Sequence, residues 1–254
     1  MIDRVSANYD RRPADTVIDI LLLHYTGMES ADAALDHLCD PDSKVSAHYL
    51  IDEDGAVYQL VKDKHRAWHA GVSTWRGDTD INARSIGIEV VNPGHAFGYR
   101  PFTPPQMETL ATLASEIVLR YRIPEENVLG HSDVAPGRKQ DPGELFDWAA
   151  LASAGVGLWP DRSFRARRTG PSYQPGKRGA EVAALQGSLE TFGYGIIEDG
   201  DFGEQTRIVV AEFQRHFRPL LVSGMADPET RSLLDHLVIR AARNRTKRGD
   251  KYQA

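Results

Sequence analysis

The chain has 254 residues, 41% hydrophobic and 26% charged, with one cysteine and a formal net charge of −6. That is enough chain to bury a core in one large domain or two unequal ones. A single cysteine excludes an intramolecular disulfide and a cysteine-rich zinc site, the acidic balance argues against general nucleic-acid binding, and no apolar run is long enough to span a membrane.

Met1 to Arg12 lacks an apolar stretch of the kind that marks an export signal. Thr16–Leu23 is a nearly continuous apolar run and reads as a strand buried on both faces. Ala31–Leu38 reads as a short helix. Ser46–Ile51 and Ala56–Val61 are rich in strand formers and flank Asp54-Gly55, a hairpin signal. Ser85–Val91 is another buried strand. Thr103 is placed to cap a helix, with Pro104 at its first position and Gln106 closing a capping box. Asn127–Gly130 reads as a short strand, followed by the polar loop HSDVAPGRKQDPG. Strands and helices in this alternation predict an α/β domain with a mixed central sheet flanked by helices over residues 1–160.

Residues 161–178 carry six basic residues and one acid, together with Gly170, Pro171, Pro175 and Gly176. They read as a basic linker, with a long surface loop inside one domain as the alternative. From residue 179 to 240 the period becomes helical. Val182, Leu185 and Leu189 form one stripe, Val209, Phe213 and Phe217 a second, and Leu233, Leu234 and Leu237 a third. Asp227 and Pro228 mark the start of the last helix. The prediction is a small three-helix domain. Residues 241–254 read as a basic tail, solvated or frayed. The basic segments 161–178 and 239–254, net +5 each, leave a net charge of −16 on the remainder.

Position singles out a few of the nine histidines. His24 follows the first buried strand and His131 follows the last, at the sheet edge where α/β proteins bind ligands. The loop from His131 to Asp141 has almost nothing to pack. Zinc takes imidazole and carboxylate, and a catalytic site uses three protein ligands. His24, His131 and Asp141 therefore form a candidate metal set, and on spacing alone a hydrogen-bonded polar cluster without metal stays open. Glu89 lies within the apolar strand SIGIEVV, where burial would raise its pKa into the range of a general base. A water-facing Glu89 is the alternative. Lys139, two residues before Asp141, is a candidate cation beside the site.

At these residues the chain resembles a known family. HYT after a buried strand, SAHYLID, the DG turn, RAWHAG, NxxSIGIE and GHSDVAPGRKxDPG occur together and in order. The set is similar to zinc-dependent N-acetylmuramoyl-L-alanine amidases of the AmpD/AmiD type, over about residues 17–160. The resemblance implies Zn2+ on His24, His131 and Asp141, with Glu89 and Lys139 catalytic. Trp68, His69 and Asn82 fall in the family's groove-lining motifs, with Trp68 equally readable as core. Arg66 and Arg84 are candidates for the stem-peptide carboxylates by sequence neighbourhood. Some relatives carry cysteine at the position of Asp141; here Cys39 lies elsewhere and is expected to be a small buried residue. GAEVAALQGSLETFGY, DGDFGEQT, AEFQRHF and DPETRSLL resemble the type-1 peptidoglycan-binding domain. The implied activity is hydrolysis of the amide between N-acetylmuramic acid and L-alanine, in peptidoglycan or muropeptides. A non-catalytic recognition protein and a zinc peptidase of the stem are the alternatives. Exported relatives carry an N-terminal signal that this chain does not show, so the sequence points to the cytoplasm and the substrate to the cell envelope. A monomer is the default.

Overall fold

A computed structural model describes residues 1–249. Its strands are β1 (Ile2–Asp3), β2 (Tyr9–Arg11), β3 (Ile20–Tyr25), β4 (Tyr49–Ile51), β5 (Val57–Gln59), β6 (His65–Ala67), β7 (Ser85–Val90) and β8 (Val128–Gly130). Its helices are α1 (Ala31–Cys39), α2 (Ile81–Arg84), α3 (Gly94–Phe97), α4 (Pro104–Tyr121), α5 (His131–Val134), α6 (Trp148–Ser153), α7 (Ala180–Phe192), α8 (Glu204–Phe217) and α9 (Pro228–Arg248).

Six strands form one mixed sheet in the order β1-β5-β4-β7-β3-β8, and β2 pairs with β6 in a separate ribbon. The two apolar runs of the sequence, β3 and β7, are parallel neighbours at its centre. Both are covered on each face, which is why they lack alternation. The Asp54-Gly55 turn joins β4 and β5 in antiparallel register, with Gly55 at φ +87°. The predicted cap of α4 is present in full. Thr103 accepts from Gln106 N, and the Gln106 side chain accepts from Thr103 N. The first buried strand starts later than its apolar run and reaches Tyr25, so His24 lies inside the strand end rather than beyond it.

Residues 161–178 contain no helix or strand, yet they are laid against α9 rather than swinging free. The backbone N–H of Arg167 donates to Ser232 Oγ at 2.9 Å, and the Phe164 ring stacks on His236. Tyr173 is buried and pairs through its backbone with Ala226. Packing of these two aromatics, Tyr173 buried and Phe164 half-buried, binds a segment that Pro and Gly keep irregular. The expected tail is also corrected. The third helix continues through residue 241 to Arg248, because Ala241 is fully buried and Arg240 and Asn244 bond Glu125. Asp250 to Ala254 lie outside the described residues. Cys39 is corrected too: it closes α1 half-exposed, with Sγ 3.5 Å from the Arg4 carbonyl.

The three-helix unit shares a hydrophobic core with the sheet. Ile20, Leu22, Trp75, Leu129, Val134 and Leu158 pack in one cluster with Val182, Leu189, Phe192, Tyr194, Val209 and Phe213. Trp75 is 0% exposed and meets Phe192 and Tyr194 edge to face. A Cβ at Gly193 would stand 2.5 Å from the Trp75 ring, so this contact requires glycine. Burial of each such large apolar side chain contributes about 1.5–3 kcal/mol. An interface of this kind joins the two units rigidly, whereas wet interfaces let domains move.

Candidate active site

Three adjacent parallel strands end at one edge, and each delivers a candidate residue there. His24 on β3 is the register partner of Glu89 on β7, and Leu23 pairs with Gly130, the residue before His131. Gly130 is needed at the close of β8, since a Cβ there would meet Pro142 Cδ at 2.7 Å. The backbone N–H of Ser132 donates to the Asp141 carbonyl at 3.0 Å, which folds the polar loop back so that Asp141 faces His131. The edge opens into a cleft of about 350 Å³ lined by His24, His131, Asp141, Glu89, Lys139 and Trp68, among others.

His24 Nδ1, His131 Nδ1 and Asp141 Oδ2 form a triangle with sides of 2.9, 3.0 and 3.0 Å. All three residues are buried. Their hydrogen-bond partners identify which atoms carry protons. Ser85 Oγ donates to the Ile81 carbonyl at 2.6 Å, so it accepts from His69 Nε2 at 3.3 Å. His69 Nδ1 is then an acceptor, and His24 Nε2 donates to it at 3.1 Å. That leaves a lone pair on His24 Nδ1. The opposite tautomers would strip the Ser85 hydroxyl from its 2.6 Å bond. His131 Nε2 donates to the Ala70 carbonyl at 2.9 Å, which leaves a lone pair on its Nδ1 as well. Two imidazole lone pairs and a carboxylate oxygen thus converge with no hydrogen between them. Such a triangle is repulsive by itself, and a cation at its centre turns the repulsion into ligation. The donor set, two imidazoles and one carboxylate, fits a metal with an open fourth position. Burial, then the facing His131 ring, pushes His24 down to about 4, which keeps it neutral and able to ligate.

Glu89 opens on the same cleft, but its Oε2 is buried and has no hydrogen-bond partner among the described residues. Burial raises its pKa well above the carboxylate range; Asp141 adds to the rise and Lys139 opposes it. A carboxyl left without partners in an apolar strand is poised to exchange a proton.

The other candidates separate. Trp68 is half-buried on the cleft wall and belongs to none of the hydrophobic clusters of the described residues. His69 also reaches the wall, but its ring is held by His24 and Ser85, and it lies so close to β7 that a Cβ at Gly87 would stand 2.6 Å from it. Asn82 is buried and accepts from the backbone N–H groups of His69 and Ala70 at 3.0 and 2.8 Å, which fixes the RAWHAG turn. Arg66 pairs with Asp80 and Asp10, and Arg84 with Asp19 and Asp78. Neither arginine, expected to meet the stem-peptide carboxylates, lines the cleft. Their charges are matched locally by acids that the sequence neighbourhood did not single out. Sequence reasoning missed Tyr25 and His95, which line the cleft and meet through Tyr25 Oη and His95 Nδ1 at 3.0 Å. Tyr25 follows His24 directly, and that adjacency was the available signal.

Comparison with known proteins places the chain in a family. The N-acetylmuramoyl-L-alanine amidase family matches residues 14–144, and a peptidoglycan-binding domain family matches residues 178–234. The chain is 40% identical to N-acetylmuramoyl-L-alanine amidase AmiD of Escherichia coli over 236 residues, 87% of this chain and 82% of that protein. It is 34% identical to 1,6-anhydro-N-acetylmuramyl-L-alanine amidase AmpD of Haemophilus influenzae over 167 residues, 59% of this chain and 89% of that one. The structure of E. coli AmiD with anhydro-N-acetylmuramic acid-L-Ala-D-gamma-Glu-L-Lys aligns with a TM-score of 0.76 at 37% identity, covering 91% of this chain and 93% of that one. AmpDh3 of Pseudomonas aeruginosa, in complex with anhydromuramic pentapeptide, aligns with a TM-score of 0.78 at 32% identity, covering 91% and 95%. The class is therefore a cell-wall amidase with a C-terminal peptidoglycan-binding domain. The chain belongs to the N-acetylmuramoyl-L-alanine amidase family. No helix among the described residues is long and apolar enough to cross a membrane.

Proposed function

We propose that this chain uses zinc on His24, His131 and Asp141 to hydrolyse the amide between the lactyl group of N-acetylmuramic acid and L-alanine. The observation that carries the reading is the triangle of three converging lone pairs beside the unpartnered carboxyl of Glu89, in one cleft. Zinc so held supplies a Lewis acid and lowers the pKa of a water toward about 7. Glu89 takes a proton from the attacking water and delivers it to the departing alanine amine. Lys139, at the mouth, offers positive charge to the oxyanion that develops on the scissile carbonyl. His69, through Ser85 and Ile81, keeps the His24 lone pair turned inward. All of these residues come from one chain, so a monomer suffices. The C-terminal module holds the protein on the wall, and the relatives solved with anhydromuropeptides support muropeptides as substrates.

Incubation of the protein with an anhydromuropeptide is expected to release the stem peptide with a new primary amine on L-alanine. An amine that appears on a later residue of the stem would transfer the site to a peptidase. A wild-type protein that binds muropeptide without releasing any amine would leave only a recognition role.

A further inference from the structure

We propose that the C-terminal helices are part of the catalytic apparatus: α8 and the turn after α7 hold the loop that presents two of the three candidate ligands. The inference rests on the reading of the triangle as a metal site. Its centre is Asp133, two residues after His131 and 1% exposed. Its carboxylate accepts three hydrogen bonds. The Gly130 backbone donates to Oδ2 at 2.8 Å, Tyr194 Oη to Oδ1 at 2.6 Å, and His216 Nδ1 to Oδ2 at 2.7 Å. Two of these three donors belong to the C-terminal module. A buried carboxylate needs such donors, and losing one leaves an unsatisfied charged group.

Both donors are themselves fixed. The His216 ring is sandwiched between Trp148 at 3.8 Å and Phe217 at 3.9 Å, and Tyr194 packs against Trp75. The next residue back along α8, Arg215, pairs with Glu144, three residues beyond Asp141, and with Glu212. The module therefore grips the loop near both ends, at Asp133 and at Glu144. His131 lies two residues before the first grip and Asp141 three before the second, and the bond from Ser132 N to the Asp141 carbonyl ties the two stretches together. α5 has only four residues and cannot hold its own geometry, since a single turn is marginal without tertiary support. Tyr194 and His216 touch neither the cleft nor its ligands, so they are positioning residues. A module that merely tethers the enzyme would matter for sacculi and not for a soluble muropeptide. A module that positions His131 matters for both.

The test uses the full chain with Tyr194→Phe, His216→Phe and the double variant. Each keeps an aromatic ring and removes a donor to Asp133. The readouts are zinc dissociation by chelator competition, kcat and KM on a soluble muropeptide, and pelleting with sacculi. Zinc affinity and kcat are expected to fall about tenfold in the double variant, the lower range for residues that orient ligands, with KM and pelleting little changed. Gln186→Leu serves as control: Gln186 bonds Asp199, Thr206 and Gly200 inside the module, far from Asp133 in the bonding network. It should lower the melting temperature and leave zinc affinity alone. Wild-type zinc affinity and kcat in Tyr194→Phe and the double variant would overturn the proposal, as would an equal loss in Gln186→Leu. If the double variant does not fold, Tyr194→Phe, which loses one hydroxyl, decides by the same criteria. A wild-type chain that holds no zinc would instead defeat the metal reading itself.

Discussion

Glu89→Gln is expected to lower turnover of a muropeptide by about 10² to 10⁴, the usual contribution of a positioned general acid–base group, while the protein keeps its metal. The substitution removes a proton acceptor and changes little else. Glu89 Oε2 has no hydrogen-bond partner among the described residues, so the amide breaks no existing bond. The side chain stands across from His24 on the neighbouring strand and is not one of the three atoms of the triangle. The pH profile gives a second signature. Burial holds the Glu89 carboxyl protonated to higher pH than an ordinary glutamate. A base must be ionised, so kcat should fall as pH drops through that raised pKa, and Glu89→Gln should lack this acidic limb. Near-normal kcat in the variant, or an unchanged acidic limb, would assign the proton transfer to another group.

Removal of the metal is expected to abolish hydrolysis, by about 10³ or more, because several kcal/mol of charge stabilisation vanish with it. The same treatment should lower the melting temperature. Without a cation, three lone-pair atoms 2.9 to 3.0 Å apart repel in a buried setting. Binding that occurs only in the folded state adds about 2.7 kcal/mol of stability when free metal is a hundred times its Kd. Zinc added back should restore both activity and melting temperature. Hydrolysis that persists after verified loss of metal would contradict this account, as would an apo protein of unchanged stability.

How far the site could be read from sequence depends on which physical signal each residue carries. His24, Glu89 and His131 were legible because buried parallel strands are continuous apolar runs, and a polar residue at or near their ends stands out. The Thr103 capping box was legible because it is a local pattern closed within four residues. The strands β1, β2 and β6 were not legible. They have two or three residues each and exist only because distant partners bond them. The roles of Ser85, His69 and Asn82 were hidden for another reason: they depend on who donates to whom across the fold, which spacing does not encode. Asp133 was hidden in the same way. It sits in a loop recognised for its neighbours, and its partners lie 61 and 83 residues away. The helical stripes of the C-terminal unit were plain, but a stripe says that a face is buried and not against what. Hence a module expected on a linker turned out to share a core with the sheet.

This site is expected to cleave the bond between the lactyl carbonyl and L-alanine. The most direct measurement is mass spectrometry of a muropeptide digest run in water enriched in heavy oxygen. Attack by water on the lactyl carbonyl should place one heavy oxygen in the new lactyl carboxylate of the sugar and none in the stem peptide. Heavy oxygen in a carboxylate of the stem peptide, with the sugar still joined to L-alanine, would contradict it.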